Sequence, residues 1–297
     1  MALVKLKDVF FGKTKIVLPT EEELPSVTFF VAAFNEADLI EEKIKNTFSV
    51  DYPADKLQFI IVTDGSTDAT PEIVAKYDKI DLYHEDKRGG KIGAINRGME
   101  FAKNEIMIFS DANAMLNKEA FRNIVKHYTD PKVGCVAGEK RVFTPDVAEA
   151  SSAGEGLYWK YESLLKRFDY KLYTAVGAAG ELFSIRKALY KHVEIDTILD
   201  DFVLSLRCVQ EGYKIAYEPN AFALEASSAS ILDEMKRKVR ISAGGVQGVV
   251  RLRQLFNVFK YHIISFQYIS HRVLRWTITP LDRKSTRLNS SHQIISY

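Results

Sequence analysis

Cysteine is scarce in this 297-residue chain, and the two present, Cys135 and Cys208, stand far apart without metal-ligand spacing. That argues against a disulfide framework and a thiolate metal cluster, and it points to a reducing compartment. No uninterrupted apolar run reaches the roughly 18 residues a helix needs to cross a bilayer. The stretch from Met1 to Leu24 combines several charges with no sustained apolar core, so no secretory leader is expected there. Internal repeats and low-complexity segments are also missing. Hydrophobic residues make up 46% and charged residues 27%, a balance that excludes a disordered chain and supplies the core of one large α/β domain or two small ones.

Acidic residues are absent from Lys236 to Arg275, a stretch with nine basic ones: Lys236, Arg237, Lys238, Arg240, Arg251, Arg253, Lys260, Arg272 and Arg275. The net charge of +2 therefore hides a basic segment joined to an acidic remainder. From Gln247 to Trp276 the basic residues interleave with apolar ones such as Val250, Leu255, Phe259, Ile264, Phe266 and Tyr268. Interfacial helices on an anionic membrane surface fit this composition, with each Lys or Arg adding about 1 kcal/mol and aromatics anchoring at headgroup depth. A packed helical hairpin with a basic face fits it too. Nucleic acid is not an expected partner, because no reading motif accompanies the charge and the remainder is acidic.

Up to about residue 140, short apolar runs alternate with helical periodicity. Strands are expected over 27–33, 57–63, 80–84 and 105–110. Helices are expected after Asn35 as N-cap, with Leu39, Ile40, Ile44 and Phe48 on one face; after Pro71; over 91–103; and over 118–128. Such alternation implies an α/β fold, a mostly parallel central sheet with helices on both faces. Beyond Val142 the order changes to a long amphipathic helix over 152–168, a short strand over 183–185, a helix over 202–210 and a strand over 214–217.

Four aspartates carry the chemical signal. Asp64 closes the run from Phe59 to Thr63, Asp111 closes the run from Ile106 to Ser110, and Asp200 and Asp201 stand side by side. Carboxylates directly after buried strands emerge at the carboxyl edge of a sheet, where open α/β sheets bind ligands. Each costs solvation there unless a metal, a polar ligand or water meets it. A turn or helix cap is the plainer reading of any one of them.

The strings Val31-Ala32-Ala33-Phe34-Asn35-Glu36 and Val62-Thr63-Asp64-Gly65-Ser66-Thr67-Asp68 together resemble the opening of family-2 glycosyltransferases. That family has the nucleotide-sugar-binding, Rossmann-like fold called GT-A. The resemblance continues through Lys87-Arg88-Gly89-Gly90-Lys91, Ser110-Asp111-Ala112-Asn113, Gly180-Glu181-Leu182-Phe183-Ser184-Ile185-Arg186 and Leu199-Asp200-Asp201-Phe202, in the family's order and spacing. It covers about residues 25–241 and implies an inverting, metal-dependent enzyme. Such an enzyme moves a sugar from a nucleotide donor, UDP-linked, to a glycan or lipid-linked acceptor at the cytoplasmic face of the cell membrane.

The resemblance also implies roles for residues. Ala33, Asn35, Glu36, Asp64, Lys91 and Asp111 fall at the nucleotide, and Asp111 with Asn113 at a Mg²⁺ or Mn²⁺ ion. Asn113 replaces the family's usual second carboxylate, which makes Asp111 the firmer ligand; both offer hard oxygens suited to such ions. Asp201, with Asp200 beside it, matches the acidic pair whose second member takes the proton from the acceptor hydroxyl. Two adjacent carboxylates repel, which raises the proton affinity of one of them; Asp200 also suits a helix cap. Arg88, Gly180, Glu181, Arg237 and Arg240 fall at the diphosphate or acceptor. Arg88 and Lys91 also fit a solvated basic turn, and the glycines Gly177 and Gly180 fit a tight structural turn.

Arg237-Lys238-Val239-Arg240-Ile241 stands where processive, membrane-embedded members carry Gln, two variable residues, Arg and Trp, so only Arg240 matches. A nucleotidyltransferase with the same aspartate–metal architecture, or a non-catalytic membrane-surface scaffold, are the alternative readings. The stretch Asp282 to His292 resembles a translated sequencing adapter, so residues 282–297 are expected to be a non-native tail and the natural chain to continue past Leu281. The expected organisation is a lead-in over 1–24, the GT-A unit over 25–230, basic amphipathic interfacial helices over 231–281, and the tail.

Overall fold

The computed structural model describes residues 18–143, 150–226 and 231–277; most of the lead-in, residues 278–281 and the tail lie outside the described residues. Eight strands form one sheet: β1 (Val27–Ala33), β2 (Leu57–Asp64), β3 (Asp81–Glu85), β4 (Ile106–Phe109), β5 (Met115–Leu116), β6 (Val133–Phe143), β7 (Phe183–Arg186) and β8 (Lys214–Ala226). Their order is β3-β2-β1-β4-β7-β6-β8-β5. The first four strands are mutually parallel, as their alternation with helices requires. Beyond β4 the sheet is mixed, with β7 antiparallel to both neighbours and β6 parallel to β8.

Side-chain alternation along the strands feeds two cores. Phe29, Val31, Phe59, Ile61, Ile106 and Ile108 face one side and pack on α1 (Ile40–Phe48) and, beyond the 70–74 helical turn α2 (Thr70–Val74), on residues of 120–125. Phe30, Ile60, Val62, Met107 and Phe109 face the other and pack on α3 (Gly90–Phe101). The later helices include α4 (Ala120–Val125), α5 (Ala150–Leu172), α6 (Asp200–Gln210) and α7 (Ile231–Arg251), with short helical turns after Arg251. Close approach of α3 to the sheet needs Gly98, where a Cβ would lie 2.1 Å from the Phe30 ring.

Three strands differ from expectation, the two-residue β5 being one that the sequence reading lacks. Strand β6, absent from the sequence reading, contains Gly134 and Gly138, which obscure any alternation. Gly138 marks a register shift against β8, and a Cβ there would meet the Ala221 carbonyl at 2.9 Å. Strand β8 continues past Pro219, which sits inside that shift rather than ending the strand. A further correction concerns Asn35, which caps no helix. It adopts a left-handed φ of 52°, and α1 starts only at Ile40, after Leu39.

The basic C-terminal segment divides its faces. Leu252, Leu255, Tyr261, Ile264, Tyr268 and Val273 are buried in the same core as α6. Gly245 lies under Trp276, and Arg272 and Arg275 both reach Glu162 of α5, at 2.8 and 2.6 Å. Outward, Val239 is 68% and Phe259 88% exposed. Among the described residues no helix is long and apolar enough to cross a membrane.

Candidate active site

Chain order places the site. The polypeptide runs from β1 outward through β2 and β3, then returns to β4 on the other side of β1. The carboxyl ends of β1 and β4 thus flank a topological switch point, the crevice where α/β sheets take ligands. Because β7 runs antiparallel to β4, the Gly180-Glu181 segment preceding it arrives at this same edge. An open recess lies there, lined by Ala32, Lys91, Ser110, Asp111, Gly180 and Asp200 together with Phe30, Ile95, Phe109 and Phe183.

Gly180 is the meeting point. A Cβ at this position would stand 3.2 Å from Lys91 Nζ and 3.5 Å from both Asp111 Oδ2 and Asp201 Oδ2. Residues separated by up to 110 positions in sequence therefore converge on one point, and the absence of a side chain at Gly180 keeps that point open. Lys91 Nζ is 2.7 Å from Asp111 Oδ1 and 3.8 Å from Asp200 Oδ2. Burial among protein atoms works against the Lys91 charge, yet Asp111, Asp200 and Asp201 outweigh it and raise the ammonium's proton affinity. Burial likewise opposes ionisation of Asp111, but Lys91, Lys43 and Lys140 hold its carboxyl below the usual value.

The acidic pair opens α6, in the first turn where a negative charge suits the helix dipole. Asp200 does not cap the helix: Leu199 holds that position, and Asp200 Oδ2 is buried without a hydrogen-bond partner. Asp201 Oδ1 accepts from the Phe202 N–H at 2.7 Å. Burial first, then the neighbouring Asp200 charge, push the Asp201 carboxyl up to about 7. Glu36 is half-buried nearby, and burial, then Asp111 and Asp68, raise its carboxyl too.

Asp64 ends β2 and is 3% exposed. Its Oδ2 accepts from the Gly89 N–H at 2.9 Å, and Arg97 Nη1 lies 3.5 Å from Oδ1. Gly65, at φ 69°, lets the Arg88 backbone pass where a Cβ would come within 2.7 Å of Arg88 Cβ. The Arg88 guanidinium covers the Phe34 ring at 3.7 Å. Asn35 ties the loops after β1 and β2 together, its Oδ1 accepting from the Thr67 N–H at 2.8 Å.

Other expected residues stand further out. Ala33 is buried, and Ala32 lines the recess instead. Asn113 is exposed and donates to Glu225 Oε1 at 3.0 Å; Lys140 joins Glu225 to Glu181, whose Oε1 it meets at 2.6 Å. Arg237 and Arg240 lie on α7, seven and four residues before Gly244, which packs on Ile198 and Leu199 just ahead of the acidic pair. Neither lines the recess.

Among the described residues no three His, Cys, Asp or Glu side chains form a preassembled metal cluster. The donor set nevertheless suits a hard cation: Asp111 offers Oδ2 toward Gly180 while Oδ1 pairs with Lys91, and Mg²⁺-type ions commonly take one or two carboxylates plus substrate phosphates and water.

The family model for glycosyl transferase family 2 matches residues 28–193, more than half of the chain. The chain belongs to glycosyltransferase family 2. Its relatives in that family include the poly-beta-1,6-N-acetyl-D-glucosamine synthase of Staphylococcus aureus strain MSSA476, 29% identical over 265 residues. That match takes in 84% of this chain and 62% of the relative, so the chain spans less than two thirds of that protein's length. The mannosyltransferase PcManGT from Pyrobaculum calidifontis, solved with GDP-Man and Mn2+, superposes with a TM-score of 0.70 at 27% identity, over 85% of this chain and 71% of that one. A structure of S. aureus TarS with UDP superposes at 0.58 and 16% identity over 86% and 75%, which speaks for the fold alone. The GT-A fold follows from family membership, which sets the nucleotidyltransferase alternative aside.

Two features of this family-2 site were not anticipated. Lys43 is fully buried beneath the Asp111 loop, and Arg97 backs Asp64 from α3. For Lys43 a signal existed, since Ile40, Lys43, Ile44 and Thr47 share the i, i+3, i+4, i+7 stripe that α1 buries.

Proposed function

We propose that the chain is an inverting, cation-dependent glycosyltransferase that moves a sugar from a UDP-linked donor to a glycan or lipid-linked acceptor at the cytoplasmic face of the membrane. The convergence of Lys91, Asp111 and Asp201 on Gly180 carries this reading. It joins a pole suited to a diphosphate with a carboxylate suited to a base. Asp64, at the far end of the same strand edge, receives the nucleoside, with Phe34 and Arg88 beside it. Asp111 would hold a Mg²⁺ or Mn²⁺ ion, which would supply charge stabilisation to the leaving diphosphate. Lys91 adds a second positive charge there. Asn113 acts from the outer edge, through its bond to Glu225.

Asp201 takes the acceptor proton. Its raised proton affinity fits the task, since a base is most effective with a pKa near the working pH. Inversion follows from one carboxylate deprotonating an acceptor that attacks opposite the leaving group. Gly180 and Glu181 give the acceptor a close approach to backbone, and Arg237 and Arg240, on α7 outside the recess, are assigned to the incoming diphosphate or acceptor. The name of the S. aureus relative supports a glycan product, and the PcManGT complex supports a nucleotide sugar with a divalent cation.

Residues 25–230 form the catalytic unit and 231–281 the membrane-facing one. Exposed Val239, Val250 and Phe259 beside exposed Arg240, Arg253 and Lys260 support an anionic lipid surface as the partner.

A panel of UDP- and GDP-linked sugars with Mg²⁺ or Mn²⁺, monitored for nucleoside diphosphate release, tests the reading. Cation-dependent UDP release is expected; cation-dependent UDP binding without release from any donor or acceptor would favour the scaffold. The rate should also depend on pH. Asp201 is a base only when ionised, and its carboxyl is raised, so kcat/KM is expected to fall as pH drops through about 7. Asp200→Asn removes the neighbouring negative charge and should move that acid limb to lower pH. A flat profile from pH 5 to 8 would remove Asp201 from this role.

A further inference from the structure

Beneath the proposed cation site lies a lysine that ordinary packing does not explain. Lys43, in the middle of α1, is 0% exposed and among the largest fully buried side chains. Placing an ammonium in such surroundings is costly unless it is paired and hydrogen-bonded, and an apolar side chain of similar length fills the same space without that cost. No carboxylate lies within ion-pair distance of Lys43 among the described residues, and the Asp111 charge is the one that favours its protonated form. Burial, the larger effect, brings its pKa down to about 7.

The hydrogen bonds show what the group does instead. Lys43 Nζ donates to Ser110 Oγ at 2.7 Å and to the Ala114 carbonyl, and it lies 5.4 Å from the centre of the Phe29 ring. Ser110 and Ala114 bracket Asp111, Ala112 and Asn113, so one ammonium clasps both ends of the segment. Ser110 Oγ donates onward to the Glu181 carbonyl at 2.8 Å. The chain of bonds therefore runs from α1, under the Asp111 segment, to the residue after Gly180. The two loops whose spacing defines the recess are joined by the Ser110 hydroxyl, and a single buried lysine anchors that hydroxyl from beneath.

We propose that Lys43 is a positioning residue that sets the Asp111 segment against the Gly180 loop for binding of the divalent cation with the nucleoside diphosphate. The inference rests on the functional reading above. It goes beyond that reading in assigning a role to a side chain that touches neither donor nor acceptor. Lys43 acts through geometry: without its two donors the Ala114 carbonyl and Ser110 Oγ lose their buried partner, and the turn carrying Asp111 is free to relax. Groups that orient metal ligands from behind typically alter metal affinity or activity by about 10–100-fold when replaced.

The test compares wild type, Lys43→Met and Lys43→Gln, titrating Mn²⁺ in the presence of UDP by the electron paramagnetic resonance signal of the free ion, with circular dichroism melting alongside. Methionine fills the space but donates nothing; glutamine keeps an N–H donor group one atom short of the lysine nitrogen. The expected result is a folded Lys43→Met protein with Mn²⁺ binding weakened about 10–100-fold and Lys43→Gln between it and wild type. A folded Lys43→Met protein that binds Mn²⁺ as wild type does would overturn the proposal. Should Lys43→Met not fold, Ser110→Ala breaks the same chain with a smaller change; weakened binding supports the proposal and unchanged binding overturns it. Wild type that binds no Mn²⁺ with UDP would instead overturn the functional reading, and this inference with it.

Discussion

Asp201→Asn is expected to lower the transfer rate about 10²–10⁴-fold, the contribution of a positioned base, while binding of UDP with Mn²⁺ stays near the wild-type level. The asparagine keeps the shape and keeps an oxygen for the Phe202 N–H, which Asp201 Oδ1 now meets at 2.7 Å, so the start of α6 should be preserved. What disappears is the ability to take a proton. Lys91 retains Asp111 at 2.7 Å and Asp200 at 3.8 Å, so the pole assigned to the diphosphate persists. Steady-state rates and calorimetric UDP binding on the same preparation separate the two effects. Unchanged turnover would assign the proton transfer to another group.

Asp111→Asn should fail at an earlier step. The substitution removes the carboxylate that faces Lys91 and Gly180, and with it the anionic oxygens proposed for the cation. Mn²⁺ affinity in the presence of UDP is expected to fall about 10²-fold or more, because changes to groups merely behind a ligand already cost about 10–100-fold. Transfer should fall with it, and added Mn²⁺ should restore part of the rate. The contrast with Asp201→Asn is diagnostic: one variant loses the ion, the other keeps it and loses turnover. Equal metal affinity in Asp111→Asn and wild type would contradict the assignment of Asp111.

Much of this arrangement is legible in the sequence because it is local. Runs such as Phe59 to Thr63 announce a buried strand and the Asp that ends it. Strands β1, β2, β3, β4 and β7 lie within about two residues of their expected positions. The missed features are those set by contacts distant in sequence. Strand β6 hides behind Gly134 and Gly138, which exist because Leu189, Tyr213, Leu182 and the Ala221 backbone press against them. Asn35 has the composition of a helix cap, but its partner is Thr67 in the next loop. Asp200 has it too, yet Leu199 takes the cap position and Asp200 faces Lys91. Lys43 interrupts an apolar stripe, and only the fold reveals that Ser110 and Ala114 lie above it. The convergence on Gly180 is of the same kind, since no spacing along the chain encodes that three side chains meet at one α-carbon.

The most direct measurement is a crystal structure with Mn²⁺ and a non-hydrolysable UDP-sugar, with the ion located by its anomalous signal. The ion is expected in contact with an Asp111 carboxylate oxygen and the donor's diphosphate beside Lys91. The uridine should lie toward Asp64, and the anomeric carbon should be open to Asp201 across Gly180. A nucleotide or ion held away from the carboxyl ends of β1 and β4 would contradict the account.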